Sequence, residues 1–136
     1  MTPVAGTTLV LSEGLSLWGG MDPATGELID AHHPQRGVSL SGRVVIMPSA
    51  RGSSSSASVL AEAVRAGTAP AAIVLAEPDL ILAIGAAVAE ELYGVRVPIL
   101  VKPPPRLARI RDGVAVRLGP RGGLLHVRRQ DLDRST

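Results

Sequence analysis

The segment that decides the fold is RVVIMPSARGSSSSASVLAEAVRAGTAPAAIVL, residues 43–75. It opens with an apolar run at 43–47, which has the composition of a buried strand and ends before Pro48. Residues 57–66 then place apolar side chains at helical spacing, and a second apolar run follows at 71–75. A strand, a helix and a strand in this order predict two parallel strands joined by a right-handed crossover.

The same alternation continues on both sides of this segment. Pro78 and Asp79 suit the first turn of a helix that we expect to extend to about Tyr93. A third strand is expected at 97–101, and a short first strand at 8–11. The predicted fold is therefore α/β with a parallel βαβαβ core.

The remaining parts of the chain have weaker patterns. Residues 114–118 and 124–127 flank GPRGG and predict a C-terminal β-hairpin. Residues 12–42 are rich in Gly, Pro, Asp and His, and a long connection without helix or strand is usually functional. We expect one domain over residues 1–128 and a polar, frayed C-terminal tail at 129–136.

The composition excludes several classes of protein. The chain has 136 residues and no Cys, so it forms no disulfide and offers no thiolate to zinc or to an iron–sulfur cluster. No apolar run approaches the roughly 20 residues that span a bilayer, and the N-terminus has no signal-peptide pattern. We therefore expect a cytoplasmic protein without membrane contact. The Arg-rich C-terminal stretch lacks stacking aromatic residues, so no nucleic-acid partner is expected.

The main candidate site is the serine loop, which we define as residues 51–56, RGSSSS. It lies between a predicted strand and a predicted helix, where unpaired backbone N–H groups attract anions. Gly52 allows close approach of the backbone to a ligand, and the Arg51 guanidinium adds a positive charge. These features favour a site for a carboxylate or phosphate. The alternative is that the serines only cap the helix. Neither a Walker A motif nor a GxSxG motif is present.

Five stretches carry a resemblance to a known family: WGGMDPATG, HP, RGSSSS, GTAPAAIVL and ELYG occur in this order between about residues 9 and 100. In this respect the chain resembles the small subunit of aconitase X enzymes. The resemblance implies a swivelling β/β/α domain like that of aconitases, and a large subunit that carries an iron–sulfur cluster or iron. It also implies a hydro-lyase whose active site lies between the two subunits. The favoured substrate is cis-3-hydroxy-L-proline, with mevalonate 5-phosphate as the alternative.

The resemblance also implies roles for individual residues. Aconitases supply a general-base serine from a Gly-Ser-Ser segment, which corresponds here to Gly52, Ser53 and Ser54. Ser53 is therefore the expected general base. The expected contacts with the small anionic substrate come from Arg51, Gly52, Ser54 and Ser55. Aconitases continue with Arg-Glu where this chain has Ser55 and Ser56, so the substrate-binding Arg of that motif is missing.

Two interpretations of the WGGMDPATG segment remain open. Trp18, Gly19, Gly20 and Asp22 are expected at the subunit interface or the rim of the active site, and the alternative is a purely structural turn. Asp30, His32 and His33 lack a metal-ligand spacing, so no metal site is expected on this chain. Two other functions remain open from the residues alone. One is a non-catalytic anion-binding module, and the other is a scaffold that completes a partner's fold.

Overall fold

The computed structural model describes residues 4–132. The elements in chain order are β1 (Ala5–Val10), α1 (Leu17–Gly20), β2 (Val44–Met47), α2 (Ser56–Ala66), β3 (Ala72–Leu75), α3 (Leu80–Tyr93), β4 (Ile99–Val101), α4 (Pro104–Leu107), β5 (Ala115–Leu118), β6 (Leu124–His126) and α5 (Arg129–Leu132). The predicted core of strands and helices is confirmed, with ends that differ by one to three residues.

The six strands form one sheet in the order β4-β3-β2-β1-β5-β6. Strands β1 to β4 are parallel to one another, whereas β5 runs antiparallel to β1 and β6 antiparallel to β5. Strand β1 changes partner along its length: residues 8–10 pair with β2 and residues 5–7 pair with β5. The predicted parallel core and C-terminal hairpin are therefore parts of one curled sheet.

Alternate side chains of the central strands enter two separate apolar clusters. Val45, Met47, Ile73 and Leu75 pack against α2. The other face of the same strands packs against the segment that contains α4 and against the curled hairpin, through residues that include Leu107, Ile110 and Leu118. Helices on one side and a second β layer on the other agree with the predicted β/β/α arrangement.

Residues 12–42, which connect β1 to β2, supply much of the helix-side core despite their irregular backbone. The buried side chains from this connection are Leu15, Leu17, Met21, Leu28 and Leu40. Gln35 fastens the connection to the end of β1, because its amide donates to the carbonyl of Val10 (3.0 Å) and its Oε1 accepts from the N–H of Ser12 (2.9 Å). The connection therefore takes the place of a crossover helix.

Two predicted element ends need correction. Strand β4 begins at Ile99 and not at Val97, because Pro98 has no N–H to donate to a neighbouring strand. Residues 129–132 of the predicted tail form one helical turn, α5, whose Asp131 pairs with Arg128 just before the turn. Residues 133–136 of that tail lie outside the described residues.

Helices α2 and α3 pack closely because Gly85 has no side chain. A Cβ at this position would lie 2.9 Å from both the Cα and the carbonyl oxygen of Ala57. We expect Gly85→Ala to destabilise the fold by about 1–2 kcal/mol, because the steric cost exceeds the gain in helix propensity. Urea unfolding measures this change. Gly123→Ala, where a Cβ would meet no atom within 4 Å, is the control. Equal stability of Gly85→Ala and wild type would contradict this packing.

Candidate active site around the serine loop

The serine loop lies at the carboxyl end of β2, as the sequence predicts. Ala50 forms a parallel bridge with Leu15, and the N–H of Arg51 donates to the carbonyl of Leu15 (3.2 Å). The loop is therefore held against the segment that follows β1. Carboxyl ends of adjacent parallel strands are where ligands bind in open α/β sheets.

Ser53 caps the turn that leads into α2. Its Oγ accepts from the N–H of Ser55 (3.1 Å), and its carbonyl accepts from the N–H of Ser56 (3.0 Å). Ser53 is half-buried, whereas Ser54 is exposed. The bond between the N–H of Ser55 and the Oγ of Ser53 closes a turn before α2 and is not a helix cap, because the cap position of α2 is Ser55, whose side chain makes no capping bond. The N–H of Ser55 would also stabilise negative charge on the Oγ of Ser53, so this turn bond does not exclude a chemical role.

Gly52 and Arg51 form the open side of the loop. Gly52 has a φ of +146°, and a Cβ there would lie 2.8 Å from the Oγ of Ser16. Arg51 is exposed, and its guanidinium has no hydrogen-bond or ion-pair partner within residues 4–132. The loop thus presents an unpaired cation beside the N-terminus of α2, which favours binding of an anion.

Ser56 is a residue that the sequence analysis did not single out. It is 4% exposed, and its Oγ accepts from the N–H of Trp18 (3.2 Å) and lies 3.4 Å from the Oγ of Ser16. The sequence feature that could have identified Ser56 is its position four residues before Leu60, which places both side chains on the buried face of α2.

Trp18, Gly19 and Gly20 lie next to the serine loop through these contacts. Trp18 is 59% exposed, and Gly19 adopts a φ of +78° in a turn with non-helical backbone. Gly20 is buried, and a Cβ there would lie 2.7 Å from the Cδ1 of Leu15. The placement suits a role of Trp18 at a rim or an interface, whereas Gly20 has a packing role.

Asp22 is not brought to the serine loop. Its Oδ1 accepts from the N–H of Ala24 (2.9 Å), and the adjoining carbonyl of Pro23 accepts from the Oγ1 of Thr68 (2.6 Å). Thr68 follows the C-terminal end of α2, and the serine loop precedes its N-terminal end. These ends are about 16 Å apart, since α2 has 11 residues. Asp22 therefore stabilises a turn, and a contact with a partner chain stays a prediction.

A narrow cleft of about 10 Å³ separates the serine loop from the start of α3. Its lining includes Arg51, Gly52, Ser53, Ser56, Asp79 and Leu82. Asp79 is held by its capping of α3, because its Oδ1 accepts from the N–H of Leu82 (2.8 Å). The cleft is far below the roughly 300 Å³ of an ordinary ligand pocket.

The side chains of this chain do not suit an iron–sulfur cluster. The sequence contains no Cys, and residues 4–132 hold no group of three or more His, Cys, Asp or Glu side chains that could bind a metal ion. His33 is buried for a structural reason, because its Nδ1 accepts from the N–H of Gln35 (3.0 Å). Over the same described range, no helix is long and apolar enough to cross a membrane.

The Glu62–Arg65 ion pair lies on the exposed face of α2. The hydrogen bond from Arg65 lowers the pKa of the Glu62 carboxyl and raises the pKa of the guanidinium. Both side chains are about half exposed, and the pair is more than a helical turn from the serine loop, so it contributes little to the charge there.

Comparison with known proteins identifies the family. The sequence pattern described as the aconitase X swivel domain matches residues 2–127. This chain belongs to the aconitase X swivel-domain family. The holo-form structure of aconitase X from Thermococcus kodakaraensis superposes with a TM-score of 0.79 at 27% identity, covering 93% of this chain and 91% of that one. The predicted resemblance and fold are confirmed.

Two groups of aconitase X relatives are named as dehydratases. The cis-3-hydroxy-L-proline dehydratase of Pseudomonas aeruginosa is 54% identical over 95 residues, which are 70% of this chain and 16% of that protein. The phosphomevalonate dehydratase small subunit of Methanopyrus kandleri is 39% identical over 121 residues, 88% of this chain and 85% of that one. This swivel domain therefore spans about a sixth of the first relative and most of the second. Both names agree with the prediction of a dehydratase.

Gly52 is the position where the loop geometry is easiest to test. We expect Gly52→Ala to destabilise the domain by about 2–4 kcal/mol, because its positive φ and its contact with Ser16 both disfavour a Cβ. Gly42→Ala is the matched control, since Gly42 has a φ of +69° but no atom within 4 Å of a built Cβ. Denaturant unfolding of the two variants measures what the larger φ of Gly52 and its contact with Ser16 cost together, beyond the cost of a side chain at a left-handed glycine in open space. An equal loss of stability in both would mean that Gly52 does not pack against Ser16.

Proposed function

We propose that this chain is the small subunit of an aconitase X-type hydro-lyase that dehydrates cis-3-hydroxy-L-proline. The observation that carries the proposal is the placement of Ser53 beside an unpaired Arg51 at the carboxyl end of β2. In this proposal Arg51, Gly52, Ser54 and Ser55 bind the anionic substrate, and Ser53 takes the proton.

A serine hydroxyl is a weak base, so the proposed reaction needs a setting that stabilises an alkoxide. The N–H of Ser55 already points at the Oγ of Ser53, and this N–H belongs to the positively polarised start of α2. Arg51 adds a full positive charge and can bind the carboxylate next to the carbon that loses its proton. These groups would favour negative charge where the reaction develops it.

The small size of the cleft supports the need for a second chain. A cleft of about 10 Å³ is too small to enclose a hydroxy acid or to shield it from water. The proposed large subunit would close the site over the serine loop, forming a cytoplasmic heterodimer. An iron–sulfur cluster or iron bound by that subunit would supply a Lewis acid for the departing hydroxyl. Trp18 is proposed to lie at the junction of the two chains.

Mevalonate 5-phosphate is the second candidate substrate. It is favoured by the match to the phosphomevalonate dehydratase small subunit of Methanopyrus kandleri, of which the alignment covers 85%. The match to the proline-derivative enzyme has the higher identity but covers a small part of that protein. Both compounds carry a carboxylate, and the serine loop suits either of them.

The proposal is tested by assaying the chain, reconstituted with its proposed large subunit, against both compounds. We expect dehydration of cis-3-hydroxy-L-proline, with a kcat/KM at least about tenfold above that for mevalonate 5-phosphate. A tenfold preference corresponds to about 1.4 kcal/mol in transition-state binding. The reverse order would assign the phosphorylated substrate. Binding of either compound without turnover would favour the non-catalytic anion-binding module.

The role of Ser53 has its own test. In the reconstituted complex, Ser53→Ala should lower kcat at least about 100-fold, because it removes the proposed base. Calorimetric titration should show substrate binding within about threefold of wild type, since Arg51 and the backbone donors remain. Ser58→Ala, an exposed serine further along α2, is the control. Near-normal turnover by Ser53→Ala would assign the base to another group.

A further inference from the structure

We propose that Ser56 is a positioning residue: together with Ser16 it closes a ring of hydrogen bonds around the backbone of Trp18 and holds that segment against the serine loop. The ring connects three contacts. The N–H of Trp18 donates to the Oγ of Ser56 (3.2 Å), the two serine hydroxyls lie 3.4 Å apart, and the Oγ of Ser16 donates to the carbonyl of Trp18 (3.1 Å). The effect of this ring on catalysis rests on the proposed function, whereas the hydrogen bonds that form the ring do not depend on it.

Counting protons fixes the direction of the ring. Each hydroxyl has one proton to donate. The proton of Ser16 is used on the carbonyl of Trp18, so the contact between the two serines must use the proton of Ser56. The order is therefore Trp18 N–H to Ser56, Ser56 to Ser16, and Ser16 back to Trp18. Each group polarises the next in such a chain, which makes the three contacts mutually dependent.

The ring is connected to the proposed base through the backbone. The N–H of Ser56 donates to the carbonyl of Ser53 (3.0 Å), and Gly52 leaves room for Ser16, whose Oγ would lie 2.8 Å from a Cβ there. Ser16 and Ser56 thus contact both the rim segment and the loop that carries Ser53. Loss of either hydroxyl would let the two segments move relative to each other.

An ordinary capping role does not explain the Ser56 side chain. Its Oγ accepts from the N–H of Trp18, which is 38 positions away in the sequence, and Ser55 occupies the cap position of α2 without a side-chain capping bond. The hydroxyl is buried, and its neighbours are the serine of an adjacent segment and a backbone amide. A hydroxyl in this place connects two segments of the chain.

The first test measures the ring in the full chain. NMR hydrogen exchange reports the Trp18 amide, and because the chain has one Trp, fluorescence anisotropy reports its mobility. We expect Ser56→Ala and Ser16→Ala each to speed exchange at Trp18 at least about tenfold and to lower the anisotropy, with little further change in the double variant, since one break opens the whole ring. Ser58→Ala is the control at an exposed serine of the same helix.

The result of the exchange and anisotropy test does not depend on whether the reconstituted complex is active. Unchanged exchange at Trp18 in both single variants, or effects that simply add in the double variant, would overturn the ring. If Ser56→Ala does not fold, Ser16→Ala decides, because Ser16 is only partly buried and its loss opens the same ring.

The second test uses the reconstituted complex with the better of the two substrates. We expect Ser56→Ala to lower kcat about 10- to 100-fold with KM within about threefold, because a displaced base affects the reaction more than the binding of substrate. A kcat equal to that of Ser58→Ala, with faster exchange at Trp18, would overturn the positioning role. Lack of turnover by wild type with both compounds would overturn the proposed function and this role together. Hydrogen exchange at the Trp18 amide would still show whether the ring of hydrogen bonds exists.

Discussion

The packing of α2 against the sheet decides where the serine loop ends and which way the side chain of Ser56 points. Leu60 and Ala63 are fully buried against the face of the sheet that carries Ile73. Burial of a leucine side chain stabilises a fold by about 2–3 kcal/mol, whereas a side-chain hydrogen bond contributes about 1 kcal/mol. The apolar contacts therefore fix the rotation of the helix. Ser56, four residues before Leu60, must then point inward, whereas Ser53 stays half-buried and Arg51 exposed in the loop that precedes the helix.

Most of the fold could be predicted because its central elements have strong periodicity. The strand at 43–47, the helix that ends before Gly67 and the helix that begins after Asp79 lie within about two residues of their predicted places. The connection between β1 and β2 could not be predicted in this way. Its buried side chains follow no period, and they are positioned by single long-range contacts such as the one from Gln35 to Val10. Such contacts leave no local pattern in a sequence.

The position of the candidate site could be predicted, but the burial and the contacts of its individual serines could not. A glycine and four serines between a strand and a helix indicate an anion site at the carboxyl end of the strand, and the loop lies there. Four identical residues do not reveal which is buried. Ser53, Ser54 and Ser56 differ because the first caps a turn, the second faces outward and the third faces the core. That assignment depends on the helix rotation, which a run of serines does not encode.

The exposed side chain of Trp18 and the hydrogen-bonded backbone of the same residue have complementary roles. The core of this domain contains no Phe, and its one Trp is 59% exposed on a turn whose N–H and carbonyl are both held by serine hydroxyls. Binding a second surface with a mobile loop costs conformational entropy, and a fixed backbone reduces that cost. Trp is also the residue type most enriched among those that contribute strongly to protein interfaces. The contacts of Ser16 and Ser56 thus suit a turn that holds its shape at the proposed junction between two chains, beside a loop whose proposed chemistry requires a second surface to exclude water.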